Sequence, residues 1–123
     1  MAYEGNGFRS TGRAIKDKAP RESVYQAKLL KKLKAIPRSY FFVKEAKNIR
    51  GIADIIGCVN GTFVALEVKK SLEESKKYSP RNALQDKFLA DINKVHGLAY
   101  KIYPENEKEI LDDLYRIAEM SRV

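Results

Sequence analysis

An asparagine followed by a glycine, at positions 60 and 61, divides an otherwise apolar stretch in two, and no other feature limits the fold of this chain as tightly. The flanking runs are residues 52–59 and 62–69. Asn-Gly suits the two central positions of a type I′ turn, where both residues need positive φ, so the segment is predicted to be a β-hairpin. A two-residue loop also sets the register: Val59 faces Thr62, and each step back along one strand is matched on the other. In the second strand Phe63 and Ala65 alternate with Val64, Leu66 and Val68. A strand that is apolar on both faces belongs in the interior of a sheet.

The remaining elements follow from their punctuation. Pro20 precedes a helical pattern over residues 21–36, which Pro37 closes. Residues 40–45 read as a strand and are followed by a polar loop ending at Gly51. Residues 70–78 read as a charged loop. Ser79 is then a good N-cap, Pro80 a good first helical residue, and Gly97 the expected C′ residue after a helix reaching about His96. Residues 98–103 read as a further strand, and Pro104 opens a last helix to about Met120. The predicted order, α-β-β-β-α-β-α, describes an α/β domain with a central mixed sheet flanked by helices.

A chain of 123 residues, 44% of them hydrophobic, suits one domain with a real core, here residues 20–123. Residues 1–19, rich in Gly, Lys, Arg and Ser, are expected to be a basic flexible arm. No apolar run is long enough to span a membrane, and residues 1–18 lack the apolar core of a secretory signal. The single cysteine, Cys58, cannot form an internal disulfide and reads as a small core residue. These features point to a reducing, cytoplasmic setting with no membrane partner.

The hairpin register carries the chemistry. Counting back from the turn pairs Asp54 with Glu67 at a non-hydrogen-bonded position, where facing Cα atoms approach to roughly 4.5 Å. Lys69 falls on the same face as Glu67. Two carboxylates opposite one another repel, and burial worsens this, so the pair calls for a shared proton or a cation. A divalent ion such as Mg²⁺, which uses one or two carboxylates plus water and phosphate oxygens, meets that need. A cross-strand salt bridge between Glu67 and Lys69 is the plainer alternative. Two helical positions add to the anomaly. Glu22 shares a helical stripe with Gln26, Leu29, Leu33 and Ile36, opposite Lys28, Lys31, Lys32 and Lys34. Gln85 falls among Phe88, Leu89, Ile92 and Val95 on the second helix, and a core-facing glutamine needs hydrogen-bond partners.

Asp54 followed by Glu67-Val68-Lys69 resembles the D…E-x-K signature of the PD-(D/E)XK nuclease superfamily. Arg50-Gly51-Ile52-Ala53-Asp54 is similar to that family's G-x-P-D turn, with Ala53 in place of the proline. Glu22 matches the first-helix glutamate of many members. Gln85, after the Ser-Pro opening, is similar to the helix glutamine of the stand-alone VRR-NUC branch. The resemblance spans residues 20–103 and implies an αβββαβ restriction-endonuclease-like core, shared with archaeal Holliday junction resolvases. It implies hydrolysis of a DNA phosphodiester with Mg²⁺ or Mn²⁺. Asp54, Glu67 and the Val68 carbonyl would be ligands, with Glu22 a further ligand directly or through water. Lys69 would hold or activate the attacking water, and Gln85 would orient groups at the site. It further implies a homodimer acting on branched DNA in recombination or repair.

Charge agrees with a polyanionic partner. Lys and Arg number 24 against 16 Asp and Glu, for a net +8, and residues 1–38 hold ten basic and three acidic side chains. Arg9, Arg13, Lys16, Lys18, Arg21, Lys28, Lys31, Lys32 and Arg50 are the candidate DNA contacts. Nothing suggests base readout, so recognition of DNA shape is expected. In the last helix Ile110, Leu114, Ile117 and Met120 form an apolar stripe serving either the core or a dimer contact. The competing functions are a nickase, flap or restriction-like nuclease on the same core, and a non-catalytic nucleic-acid-binding module.

Overall fold

The computed structural model describes residues 18–44 and 52–121, and the side chains of the first helix from Glu22 onward. Its elements are α1 (Lys18–Lys34), β1 (Ser39–Val43), β2 (Ile55–Val59), β3 (Thr62–Val68), α2 (Leu72–Ser75), α3 (Pro80–Lys94), β4 (Leu98–Ile102) and α4 (Glu107–Ala118). The strands form one mixed sheet in the order β1-β2-β3-β4, antiparallel except for the β3–β4 pair. The chain is thus an α/β protein with helices on both faces of the sheet. The second hairpin strand is interior, as its two apolar faces predict.

The turn has the expected conformation, with φ of 49° at Asn60 and 86° at Gly61, and pairing runs from Val59↔Thr62 back to Ile55↔Leu66. Asn60 does more than turn the chain. Its side-chain amide donates to the carbonyls of Ile117 and Met120, each at 3.0 Å. Arg38 Nε donates to the Ala118 carbonyl at 2.8 Å. The hairpin tip and the α1–β1 turn together bind carbonyls at the end of α4 and in the turn that follows it, where helical partners run out.

Helices α1 and α4 close one face of the sheet. Leu29, Leu33, Ile110 and Leu114 pack there on Phe41, Ile55, Val64, Leu66 and Val68. The Phe41 ring lies over Gly57, where a Cβ would sit 2.4 Å from Cδ1 of the ring and 2.2 Å from the Tyr40 carbonyl, so only glycine fits. Helix α3 covers part of the opposite face, with Leu89 against Ala65 and Ala99.

Several boundaries differ from the sequence reading, for identifiable reasons. Helix α1 begins at Lys18, because Pro20 stands in the first turn, where a missing N–H costs nothing. The charged segment 70–78 contains the short helix α2, whose N-cap Ser71 accepts from Glu74 N at 3.1 Å. Ser71 and Glu74 have the capping-box spacing that marks a helix start. Ser79 and Pro80 open α3 as predicted, but α3 ends at Lys94, and His96 rather than Gly97 takes the left-handed conformation, at φ 72°. Helix α4 starts at Glu107, not directly after Pro104. The Asn106 side chain accepts from Tyr103 N and donates to the Lys101 carbonyl, both at 2.9 Å, and so holds a turn ahead of the helix.

Ile110 and Leu114 are core residues, whereas Met120 is exposed. Cys58 is not buried, contrary to its reading as a core residue: it lies on the part of the sheet that α3 leaves open. Among the described residues, no helix is long and apolar enough to cross a membrane.

Candidate active site

The expected acidic pair forms at the open end of the hairpin, by a route the register alone did not show. The β2–β3 ladder stops at Ile55↔Leu66, one pair short of Asp54 and Glu67. Continued regular pairing would send the Val68 N–H to the Ala53 carbonyl. Instead Asp54 Oδ2 accepts that N–H at 2.9 Å, while the Asp54 carbonyl accepts from Lys44 N at 2.8 Å. Asp54 therefore bends its carboxylate across the end of β3, on the face that carries Ala65 and Glu67. The Val68 side chain is buried in the opposite core.

Glu67 is 3% exposed. Its Oε2 lies 3.5 Å from Lys69 Nζ, whereas Oε1 is buried without a hydrogen-bond partner. Burial, reinforced by the negative charge of Asp54 and only partly opposed by Lys69, pushes its carboxyl up to about 8. At neutral pH and without a cation, Glu67 therefore holds a proton for most of the time.

Lys69 is held by two hydrogen bonds and an ion pair. Its ammonium donates to Asn82 Oδ1 at 3.0 Å and to Gln85 Oε1 at 3.5 Å, and Glu67 is the third neighbour. An ammonium has three N–H donors, so the two amide oxygens leave the third, on the side of Glu67, free to turn to another acceptor. Gln85, only 2% exposed, lies where its helical position predicted. Asn82 was not foreseen. It is well anchored, donating to the Lys77 carbonyl at 2.7 Å and, through its backbone N–H, to Ser79 Oγ at 3.0 Å. Its place three residues before Gln85, on the same helix face, is the signal that could have found it.

Lys101 is a second residue the sequence reading missed. It is the β4 partner of Glu67 in the sheet register. Its ammonium turns to the Ser75 carbonyl and to Asp86, each at 2.9 Å, and leaves Glu67 Oε1 unpaired.

Glu22 is half-buried. Its carboxyl is pushed up first by burial and then by Asp54, with Lys69 opposing, so it belongs to the same electrostatic neighbourhood. Among the described residues, however, no three His, Cys, Asp or Glu side chains gather within reach of one metal ion. The donors themselves suit a hard divalent cation: two adjacent carboxylates, one oxygen of which is buried without a partner. Mg²⁺ commonly takes one or two carboxylates and completes its shell with water and phosphate.

The basic face is observed in part. Lys28, Lys31 and Lys34 are exposed on α1, and Lys32, also exposed, pairs with Glu107 at 2.5 Å. Lys18 and Arg21 belong to α1, but their side chains lie outside the described part, as do Arg9, Arg13, Lys16 and Arg50. No protein-family model, no curated protein and no solved structure matches this chain.

Proposed function

We propose that the chain is a metal-dependent endonuclease that hydrolyses DNA phosphodiesters, with a PD-(D/E)XK-type core and a preference for branched DNA such as a four-way junction. The observation that carries this reading is the buried Glu67 carboxyl. It has one oxygen without a partner and stands beside Asp54 and a lysine held by two amide oxygens. A salt bridge alone does not account for it. Lys69 meets only Oε2 of Glu67, at 3.5 Å, and leaves the other oxygen without a partner.

Asp54 and Glu67 would hold the cation, joined by the Val68 carbonyl and, through water, by Glu22. A bound Mg²⁺ or Mn²⁺ supplies a Lewis acid for the phosphoryl oxygen and lowers the pKa of a coordinated water. The chain's own residues do the rest. Lys69 presents a fixed positive charge at the rim of the pair, where it can hold a water or a phosphate oxygen as negative charge develops. Gln85 and Asn82 set the direction of that ammonium. The exposed lysines of α1 offer a sequence-independent hold on the phosphate backbone, which weakens steeply with salt.

The test is cleavage of junction, flap, nicked and linear duplex DNA by wild type and Lys69→Ala, with Mg²⁺ or with EDTA. Mg²⁺-dependent cutting by wild type, strongest on the junction and lost in the variant, is expected. Failure of wild type to cut any substrate refutes the reading and leaves a binding module. Equal cutting by both proteins refutes the role of Lys69.

A further inference from the structure

Helix α3 covers only half of its sheet face, and the uncovered half leads away from the acidic pair. Along that face the residues lie in rows across the strands. Asp54 and Glu67 belong to the first row, which Lys44 joins by donating its backbone N–H to the Asp54 carbonyl. Phe42, Ile56 and Ala65 form the second row, and Tyr40, Cys58 and Phe63 the third. Successive rows are two residues apart, about 7 Å along a strand. Tyr40 is 70% exposed and Phe42 48%. Their ring centroids are 6.3 Å apart with the planes tilted by 49°, and both rings remain open to solvent. Helix α3 supplies a wall. Asp86 and Asn93 fasten one of its flanks to β4. Arg81, Leu84 and Phe88 share the other flank, within about 60° of arc at about 100° per residue, and border the open half of the sheet. Charge is confined to the end of this groove that adjoins the acidic pair. Arg81, exposed in the first turn of α3, precedes Asn82, the acceptor of Lys69. The Lys44 ammonium donates to the Ile52 carbonyl at 3.2 Å and keeps two N–H groups for other acceptors. Past Phe42 the floor carries no charge, and Asp91, on the outer side of the helix flank, pairs with Lys87 at 2.9 Å.

We propose that this half of the face is a stacking platform for unpaired nucleotides of a DNA strand, whose bases lie on Phe42 and Tyr40 while the adjoining phosphates reach Lys44, Lys69 and Arg81. The proposal rests on the nuclease reading for the place of the scissile phosphate. It adds the form of the DNA there, a branch with unpaired nucleotides beside the cut. The order of the groove matches the order of parts in a nucleotide, with cations for the phosphate first and rings for the base beyond them. Stacking on a ring asks only for a base with an open face, so it brings no sequence preference. In a duplex the neighbouring pairs already cover both faces of each base. A duplex also advances only about 3.4 Å per base step, so rings 6.3 Å apart cannot each meet one of two successive paired bases. A strand drawn out of its helix meets both demands. Deoxyribose is the fitting sugar, because Phe42, Ile56 and Phe63 offer no hydrogen-bond partner to a ribose 2′-hydroxyl. A protein partner would account for the apolar rows but not for the cations that lead into them.

Fluorescence anisotropy of a short labelled oligothymidine with the full chain, in reducing buffer with EDTA, reads this surface while the metal-dependent reaction is switched off. Wild type is expected to bind the strand at least tenfold more tightly than an abasic strand of the same length, which keeps every phosphate. Tyr40→Ala and Phe42→Ala should each weaken binding about tenfold, within the range for one stacked base, with the salt slope unchanged. Arg81→Ala should flatten that slope. Tyr40→Phe, which keeps the ring, should bind like wild type, as should Tyr115→Ala on α4, across the sheet. In Mg²⁺, wild type should cut a four-way junction with two unpaired thymidines at its branch point faster than a fully paired one, and Tyr40→Ala should cut both alike. Equal affinity for the normal and the abasic strand overturns the proposal and leaves the nuclease reading untouched, as does binding that neither ring variant weakens. Tighter binding of oligouridine overturns the choice of DNA. Ring variants that change the mass of the particle in solution but not its affinity for DNA overturn the platform in favour of self-association. Base-dependent binding without cleavage of any DNA supports the platform and refutes the nuclease reading.

Discussion

Replacing Glu67 by glutamine should make the folded protein more stable at high pH while removing one of the two carboxylates proposed to hold a cation. Folded Glu67 holds its proton up to about pH 8, whereas the unfolded chain releases it near the ordinary carboxyl value of 4.5. Between those limits the folded state binds the extra proton, so its stability falls as pH rises through the window. Each pH unit across it corresponds to about 1.4 kcal/mol, which puts the full cost of ionising Glu67 in place at about 5 kcal/mol. Glutamine keeps the shape and cannot ionise. Urea denaturation in EDTA should therefore show Glu67→Gln and wild type within about 1 kcal/mol at pH 5. By pH 9 the variant should be more stable by several kcal/mol, and titrating groups remote from Glu67 cancel in the difference. A variant that is less stable at pH 9, or a gap that does not change with pH, would refute the burial argument. A natural carboxylate kept where a neutral amide is more stable is the mark of a site retained for function.

Four further outcomes follow. Mg²⁺ at a hundred times its Kd should stabilise wild type by about 3 kcal/mol and leave Glu67→Gln and Asp54→Asn unmoved, as read by thermal melts. Asn82→Ala, which removes the closest acceptor of Lys69, should lower cleavage about tenfold, against at least 100-fold for Lys69→Ala, in single-turnover assays. Asn60→Ala forces a positive φ on alanine and removes two bonds to the end of α4, so a loss of about 2 kcal/mol is expected in urea. Gly57→Ala drives a methyl group into the Phe41 ring and should cost about 3 kcal/mol in the same assay, with no pH dependence.

What the sequence disclosed and what it withheld divide along physical lines. Asn60-Gly61 is a local signal with one common solution, so hairpin, register and acidic face all followed from it. Gln85 and Glu22 were legible because each breaks an apolar helical stripe. The bend at Asp54 was not, because it depends on a competition for one N–H at the end of the ladder, which pairing rules do not resolve. Lys101 lies in a parallel strand reached through two helices, and no local spacing relates it to Glu67. The exposure of Cys58 depends on how much of the sheet α3 covers, a property of packing rather than of pattern. Ser71 and Glu74 did advertise α2, but the surrounding charges read as loop.

The lysine at the site and the opening turn of α3 share their bonds. Ser79 receives the Asn82 amide hydrogen, Asn82 receives the Lys69 ammonium, and the Asn82 side chain grips the loop at Lys77. Fraying of that first turn therefore loosens Lys69 in the same event. The rate at which the Asn82 amide exchanges its hydrogen with heavy water becomes a direct gauge of how often the ammonium leaves its post. Anything that quiets this breathing, including a phosphate seated on Lys69, should slow exchange at Asn82 before it slows exchange anywhere else in the helix.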